Sequence, residues 1–307
     1  MARPDPPAGS RVVTRDSSPE AGFVLPSVVA ILVVIAAAAA LATQQLQTQT
    51  KIATARLDQL RLQGLVDGAT RFVAMSLINE RARRMPGLAL PEDGRAVTCP
   101  LPGGVMLSLS VQDQGGLIDL NTSPRPLLEE AFRALGLSDS DAPIIAAEIV
   151  DDRDPDDTPE PGGGAEAAQY RARGLSYGPR NAPYGSIDEL DRLPSMTPRI
   201  AATLRPAVTV WNTSGGLDPS LNPLLTAGGG TKSDGLRAYT KPSLRQFYEV
   251  LVVAQTATGS RSGRGAVLSV DGRGTGFGLL AWKSMASVPL AGAAHPACER
   301  LRMALGG

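Results

Sequence analysis

The sequence predicts an α+β fold: a long N-terminal helix packed on an antiparallel sheet, with a large all-helical block inserted into the sheet domain. Three observations carry that expectation. Phe23–Ala42 is a run of 20 uncharged residues, and Thr43–Arg84 continues it with good helix formers. Strand-like segments lie on both sides of residues 121–206. Between those segments the apolar pattern is helical.

Composition narrows the function classes. Basic and acidic residues balance at 30 each, so no global field favours nucleic acid or an anionic membrane surface. His295 is the one histidine, which excludes histidine-rich metal sites and paired-histidine chemistry. Cys99 and Cys298 lie far apart without CxxC spacing; they either pair as a disulfide outside the cytoplasm or stay as two unpaired, small apolar residues.

At 1.5 Å per residue, Phe23–Ala42 forms a helix of roughly 30 Å, the hydrocarbon thickness of a bilayer. Arg3, Arg11 and Arg15 precede it, and the next basic residue is Lys51, a bias that puts the N-terminus in the cytoplasm and the body outside. The run reads as a simple signal-anchor or as a cleaved signal, since Ala40-Leu41-Ala42 has the small-x-small form. Leu46, Ala53, Leu57, Leu60, Leu65, Ala69, Phe72, Val73 and Leu77 then recur as one helical stripe, and Pro86-Gly87 ends it. Part of the stripe serves the chain's own core. Leu46, Ala53 and Leu57, just past the apolar run, are the part of the stripe assigned to helix packing outside that core.

Val105–Val111 alternates as a half-buried strand, which Leu117–Leu120 is expected to extend. Ser123-Pro124 opens a helix stopped by Gly136, and a second helix runs Ala142–Val150. A third begins at Ser186, where Glu189 completes a capping box, and a fourth runs Pro198–Leu204. Ala207–Trp211, Tyr248–Ala254, Gly265–Val270 and Phe277–Trp282 are expected strands, with a flexible loop at Thr226–Asp234.

Asp151, Asp152, Asp154, Asp156, Asp157 and Glu160 crowd ten residues, with Glu166 beyond. Oxygen ligands at alternate spacing, as in Asp152-Arg153-Asp154-Pro155-Asp156, suit Ca²⁺. A solvated acidic loop would look the same. Asp151, Asp154, Asp156 and Glu166 are the preferred ligands. Gly174-Leu175-Ser176-Tyr177-Gly178 matches G-x-S-x-G, but Pro179 follows where a nucleophile elbow needs a helix. It reads as a loop, and the chain is not expected to be an enzyme.

Gly22-Phe23, the apolar helix and its amphipathic continuation resemble the N-terminus of a type IV prepilin. The resemblance implies cleavage by prepilin peptidase after Gly22, with Phe23 as the methylated mature N-terminus and the span retained. Ser27 stands where most pilins carry Glu at the fifth mature position, as in the K-type minor pseudopilins of type II secretion systems. The body carries further motifs of that family in order: Gly115–Thr122, Asp151-Asp152-Arg153-Asp154, Gly164-Ala165-Glu166 with Tyr170, Asn181–Leu190, and Leu217-Asp218-Pro219.

The resemblance implies a pilin-like fold with a helix-hairpin-helix or SAM-like insert. Its expected parts are a leader (1–22), membrane half of the helix (23–42), periplasmic half (43–85), sheet domain (86–120 and 207–307) and insert (121–206). It further implies Ca²⁺ in the insert, I- and J-type minor pseudopilins as partners at the pseudopilus tip, and a single-pass inner-membrane location with a periplasmic body. The alternative is a membrane-anchored, competence-type DNA receptor, because Asp119–Leu127 and Leu190–Thr197 resemble helix-hairpin-helix units. There, however, Ser195 and Thr197 replace the phosphate-binding glycines and the surroundings are not basic, so no nucleic acid is expected.

Overall fold

A computed structural model describes residues 24–81, 83–227, 234–270, 277–285 and 292–305. The Gly22–Phe23 junction lies outside the described residues. The chain divides into two units between Leu57 and Asp58. Helix α1, Val24–Arg81, contributes to both.

In the first unit the described residues are helix throughout. Ile31, Leu32, Val34 and Ile35 are exposed, as are Leu46, Ala53 and Leu57 further along. Among the described residues, α1 is the one helix long and apolar enough to cross a membrane.

In the second unit α1 buries Leu62, Val66, Ala69, Val73 and Leu77, which lie three and four residues apart and so share one face. Pro86 lacks the N–H that another turn would need, and α1 stops short of it at Arg81. Strand β1 (Val97–Leu101) and strand β2 (Val105–Asp113) follow. Asp113 then caps a 3-10 turn, Gln114–Gly116, by accepting from Gly115 N at 2.9 Å.

That turn corrects one expectation. Leu117–Leu120 does not prolong β2; strand β3 (Ile118–Asp119) pairs in parallel with strand β4 (Val208–Thr209) in a separate two-stranded sheet. Gly116 permits the change of direction, since a Cβ there would lie 2.6 Å from the Leu221 Cβ.

The chain between β3 and β4 is helical: α2 (Arg125–Ala134), α3 (Asp141–Arg153), α4 (Ala167–Ala172) and α5 (Pro198–Leu204). Gly136, at φ 98°, closes α2 with Gly136 N on Arg133 O and Leu137 N on Phe132 O. The helix expected from Ser186 is a 3-10 helix, Ile187–Arg192. Its capping box forms, with Glu189 Oε1 accepting from Ser186 N, but Pro194 leaves no length for α-helical turns.

After β4 come α6 (Pro223–Ala227) and α7 (Asp234–Arg237); residues 228–233 of the expected loop lie outside the described residues. Strands β5 (Phe247–Thr256), β6 (Arg261–Val270) and β7 (Phe277–Ser284) and helix α8 (Ala297–Leu305) complete the chain. The antiparallel sheet has the order β1-β2-β5-β6-β7. Thus the strands flanking the insert, β2 and β5, are direct neighbours, with Leu109 opposite Val252.

Two cores result. One joins the α1 face to Leu107, Leu109, Val250, Val252 and Leu268 of the sheet and to Leu301 of α8. The other gathers Leu127, Phe132, Ile145, Ile149, Leu190 and Leu204. Ile118 and Leu120 before the expected insert, and Leu217, Leu225 and Leu236 after it, also bury in this second core. The insert therefore extends beyond the expected bounds of 121 and 206, because these apolar side chains complete the helical core rather than the sheet core. Cys99 of β1 and Cys298 of α8 form a disulfide.

Candidate metal centre

Helix α3 brings the acidic run out of the helical core. Ile145 and Ile149 face inward and are fully buried, which turns the residues after Val150 to the helix end. Arg153 does not join the acidic cluster. Its guanidinium donates to Leu120 O and, at 2.7 Å, to Ser123 O, fixing α3 to the β3–α2 connection. Asp152 also turns away, accepting from Arg180 N at 3.0 Å.

Asp151, Asp154, Asp156 and Glu166 remain around one space. Asp151 Oδ1 accepts from Glu160 N at 2.9 Å, while its Oδ2 is buried without a hydrogen-bond partner. Glu160 itself is drawn off to Arg125, at 2.8 Å. The chain then returns through Gly162-Gly163-Gly164. A Cβ on Gly164 would lie 2.3 Å from Asp151 Oδ2, so the close approach needs glycine. Glu166 follows as the N-cap of α4, its N–H donating to Gln169 Oε1 at 3.0 Å.

One carboxylate oxygen each of Asp154, Asp156 and Glu166 lie within 4.8 Å of one another. Ca²⁺–oxygen distances are about 2.3–2.6 Å, so such a spread is what ligands of a single ion span. Glu166 is 4% exposed, and neither of its carboxylate oxygens has a hydrogen-bond partner. Asp154 Oδ1 is likewise buried and unpartnered. Asp151 stands outside the tight trio but faces the same charges.

Electrostatics point the same way. Burial pushes the Glu166 carboxyl up to about 7, and Asp151, Asp154, Asp157 and Asp156 add repulsion. Burial pushes Asp151 up to about 6 despite the N–H groups of Glu160 and Ala165, with Asp154 and Glu160 adding to it. Asp154 is raised by burial and then by Asp156 and Glu160. Buried carboxylates normally find donors. These instead face one another, an arrangement relieved by protons or by a hard cation. The donor set is all oxygen, which fits Ca²⁺ and offers nothing to a soft metal.

Asn181, noted in the sequence only as the start of the Asn181–Leu190 motif, also reaches this site. It holds φ 50°, its Nδ2 donates to Asp156 O at 3.2 Å, and its Oδ1 is buried without a partner. The only local signal is that Asn tolerates the left-handed region.

The other sequence candidates also have definite places. Ser176 lies in an irregular segment after α4, without the preceding strand of a nucleophile elbow. Ser195, at the turn that resembles a helix-hairpin-helix, gives its N–H to Glu148 Oε2 at 3.0 Å and its hydroxyl to Glu148 Oε1 at 2.6 Å. The backbone donor that would meet a phosphate there is held by a carboxylate.

A family model described as "Type II secretion system (T2SS), protein K" matches residues 108–213, from within β2 through α2–α5 and β4. Among solved structures, the fold is similar to a chain in the crystal structure of the GspK-GspI-GspJ complex from the type 2 secretion system of enterotoxigenic Escherichia coli. The TM-score is 0.51 at 15% identity, over 79% of this chain and 100% of that one. No curated protein matches.

The likeness defines a fold class: a pilin-like fold, with a long N-terminal helix on an antiparallel sheet and an apolar segment that fits a membrane anchor. The protein K match covers residues 108–213, 106 of the chain's 307 residues.

Proposed function

We propose that this chain forms the tip of a type II secretion pseudopilus, as a minor pseudopilin that nucleates and caps the fibre. The family match over the helical insert carries the reading. Prepilin peptidase cuts after Gly22 on the cytoplasmic side, Phe23 becomes the mature, methylated N-terminus, and the span stays in the inner membrane with the body in the periplasm. Ser27 stands in place of the usual Glu and so offers no carboxylate to the N-terminal amine of a subunit below. That suits a topmost place.

The partners are I- and J-type minor pseudopilins, the types named in the complex of similar fold. Leu46, Ala53 and Leu57, all exposed along α1, supply a helix-packing stripe for them. The bulk of the insert, grown from the β2–β5 side of the sheet domain, bars a further subunit from stacking above. Ca²⁺ bound by Asp154, Asp156 and Glu166, with Asp151 beside them, stiffens the connection between α3 and α4. Its support is the trio's spacing and the unpartnered, buried Glu166.

Co-expression with I- and J-type pseudopilins, followed by purification on a tag carried by this chain, tests the assembly role. Stoichiometric retention of both partners is expected. Purification of this chain alone, from membranes that contain all three, contradicts it.

A further inference from the structure

The helix layer on the sheet is complete on one side of α1 and bare on the other. Strands lie about 4.8 Å apart, so a five-stranded sheet is roughly 20 Å wide, whereas packed helices lie about 8–10 Å apart. The second-unit stretch of α1 covers the middle. Helix α8 covers the β1 side: Cys298 is bonded to Cys99, Leu301 is fully buried, and a Cβ on Gly68 of α1 would sit 3.7 Å from Leu305.

Helix α1 reaches β6, where Leu268 and Val270 join its core, and no second helix follows it over β7 among the described residues. Phe277 pairs with Val270, and Leu279 with Leu268, so each pair shares a face. Leu268 and Val270 are each 2% exposed; Leu279 is 52% and Phe277 58% exposed. Those two and Met75 of α1 line a groove of about 600 Å³, with Ala74 and Ile78 as its wall and Trp282 towards one end. Contiguous apolar surface of this kind marks a contact site.

Charge identifies the rim. Trp282 carries two guanidiniums, Arg264 at 5.0 Å and Arg71 at 5.3 Å from the ring centroid. Arg264 is paired with Asp67 at 2.6 Å. Arg71 is exposed and makes no ion pair among the described residues.

We propose that this groove receives an apolar-faced helix of a partner protein, which carries a carboxylate that meets Arg71. A helix beside α1 continues the layer that α8 completes on the other side. A strand added to the β7 edge would extend the sheet yet leave Met75 and the outward face of Phe277 in water. The inference rests on the reading of this chain as a subunit that assembles with pseudopilins, and names the surface used.

The test places a photo-crosslinking amino acid at position 279 of the full chain, co-expressed with I- and J-type pseudopilins and solubilised from membranes. Position 224, where Leu224 is 44% exposed in the helical domain, is the control. Expected is a cross-link from 279 to one helical segment of one pseudopilin, at least about tenfold above the control. Leu279→Asp should leave thermal unfolding unchanged and reduce the retained partner about tenfold. Arg71→Glu should do the same, with rescue when the facing partner carboxylate is changed to Lys. Co-purification without a cross-link above control overturns the proposal, as does a cross-link to a partner strand or to a second copy of this chain. If no pseudopilin co-purifies, the assembly role fails and this inference falls with it.

Discussion

The Asp119 carboxylate accepts from Asn212 N at 2.8 Å through Oδ2, across 93 residues of sequence. Its Oδ1 takes Asn121 N and Thr122 N, each at 2.8 Å, and the Thr122 hydroxyl at 3.1 Å. One buried side chain thus closes the neck of the helical insert from both ends. Burial raises its pKa and these donors oppose the rise. Asp119→Ala should strand buried donors at roughly 1–3 kcal/mol each. Urea unfolding should show the loss, with Asp119→Asn milder because an amide oxygen keeps part of the set. Unchanged stability in both variants would remove Asp119 from this role.

Calcium should raise the thermal midpoint of the detergent-solubilised chain. At 100 times the dissociation constant the stabilisation is about 2.7 kcal/mol. Glu166→Gln should weaken Ca²⁺ binding by about tenfold or more in calorimetric titration. The same variant without metal should be more stable than the metal-free parent at pH 7.5, because it removes a buried, repelled charge. Equal Ca²⁺ affinity in parent and variant would exclude Glu166 as a ligand.

The metal-free protein should lose stability as pH rises. Glu166 is raised to about 7 and Asp151 to about 6, from ordinary values of 4.5 and 3.8. In the folded state both hold protons more tightly than in the unfolded chain. Their contribution is therefore fully present below the ordinary values and is lost as pH climbs through about 6 and 7. Melting in EDTA between pH 4 and pH 8 should show this fall. Saturating Ca²⁺ should flatten it, since the ion stabilises the ionised forms.

The disulfide ties α8 to β1 over a sequence separation of 199. Replacing both cysteines with alanine should cost about 2–5 kcal/mol. Reductant should lower the melting temperature of the parent and leave the double variant unmoved, which separates loss of the bond from loss of packing around Cys99.

Where a regular pattern met a clear stop, the sequence was easy to read. Pro198–Leu204 forms as expected, Gly136 ends α2, and β5, β6 and β7 contain the three expected strands. Strand β1 was hidden because Pro100 interrupts it; an edge strand tolerates the missing N–H. Helix α8 is short, and its place depends on a distant cysteine rather than on local pattern. At the acidic cluster, spacing alone did not separate Arg153 and Asp152, which turn away, from Asp154 and Asp156, which stay. That choice is made by the rotation of α3 about its buried isoleucines. Glu166 joins them only because three glycines fold the chain back.

The junction at Gly22–Phe23 gives the most direct measurement. The chain should be co-expressed with prepilin peptidase, recovered from the membrane and sequenced from its N-terminus. A tip pseudopilin should begin at Phe23 and remain membrane-bound. An uncut chain, or one that begins at Thr43 and is released, would contradict the account.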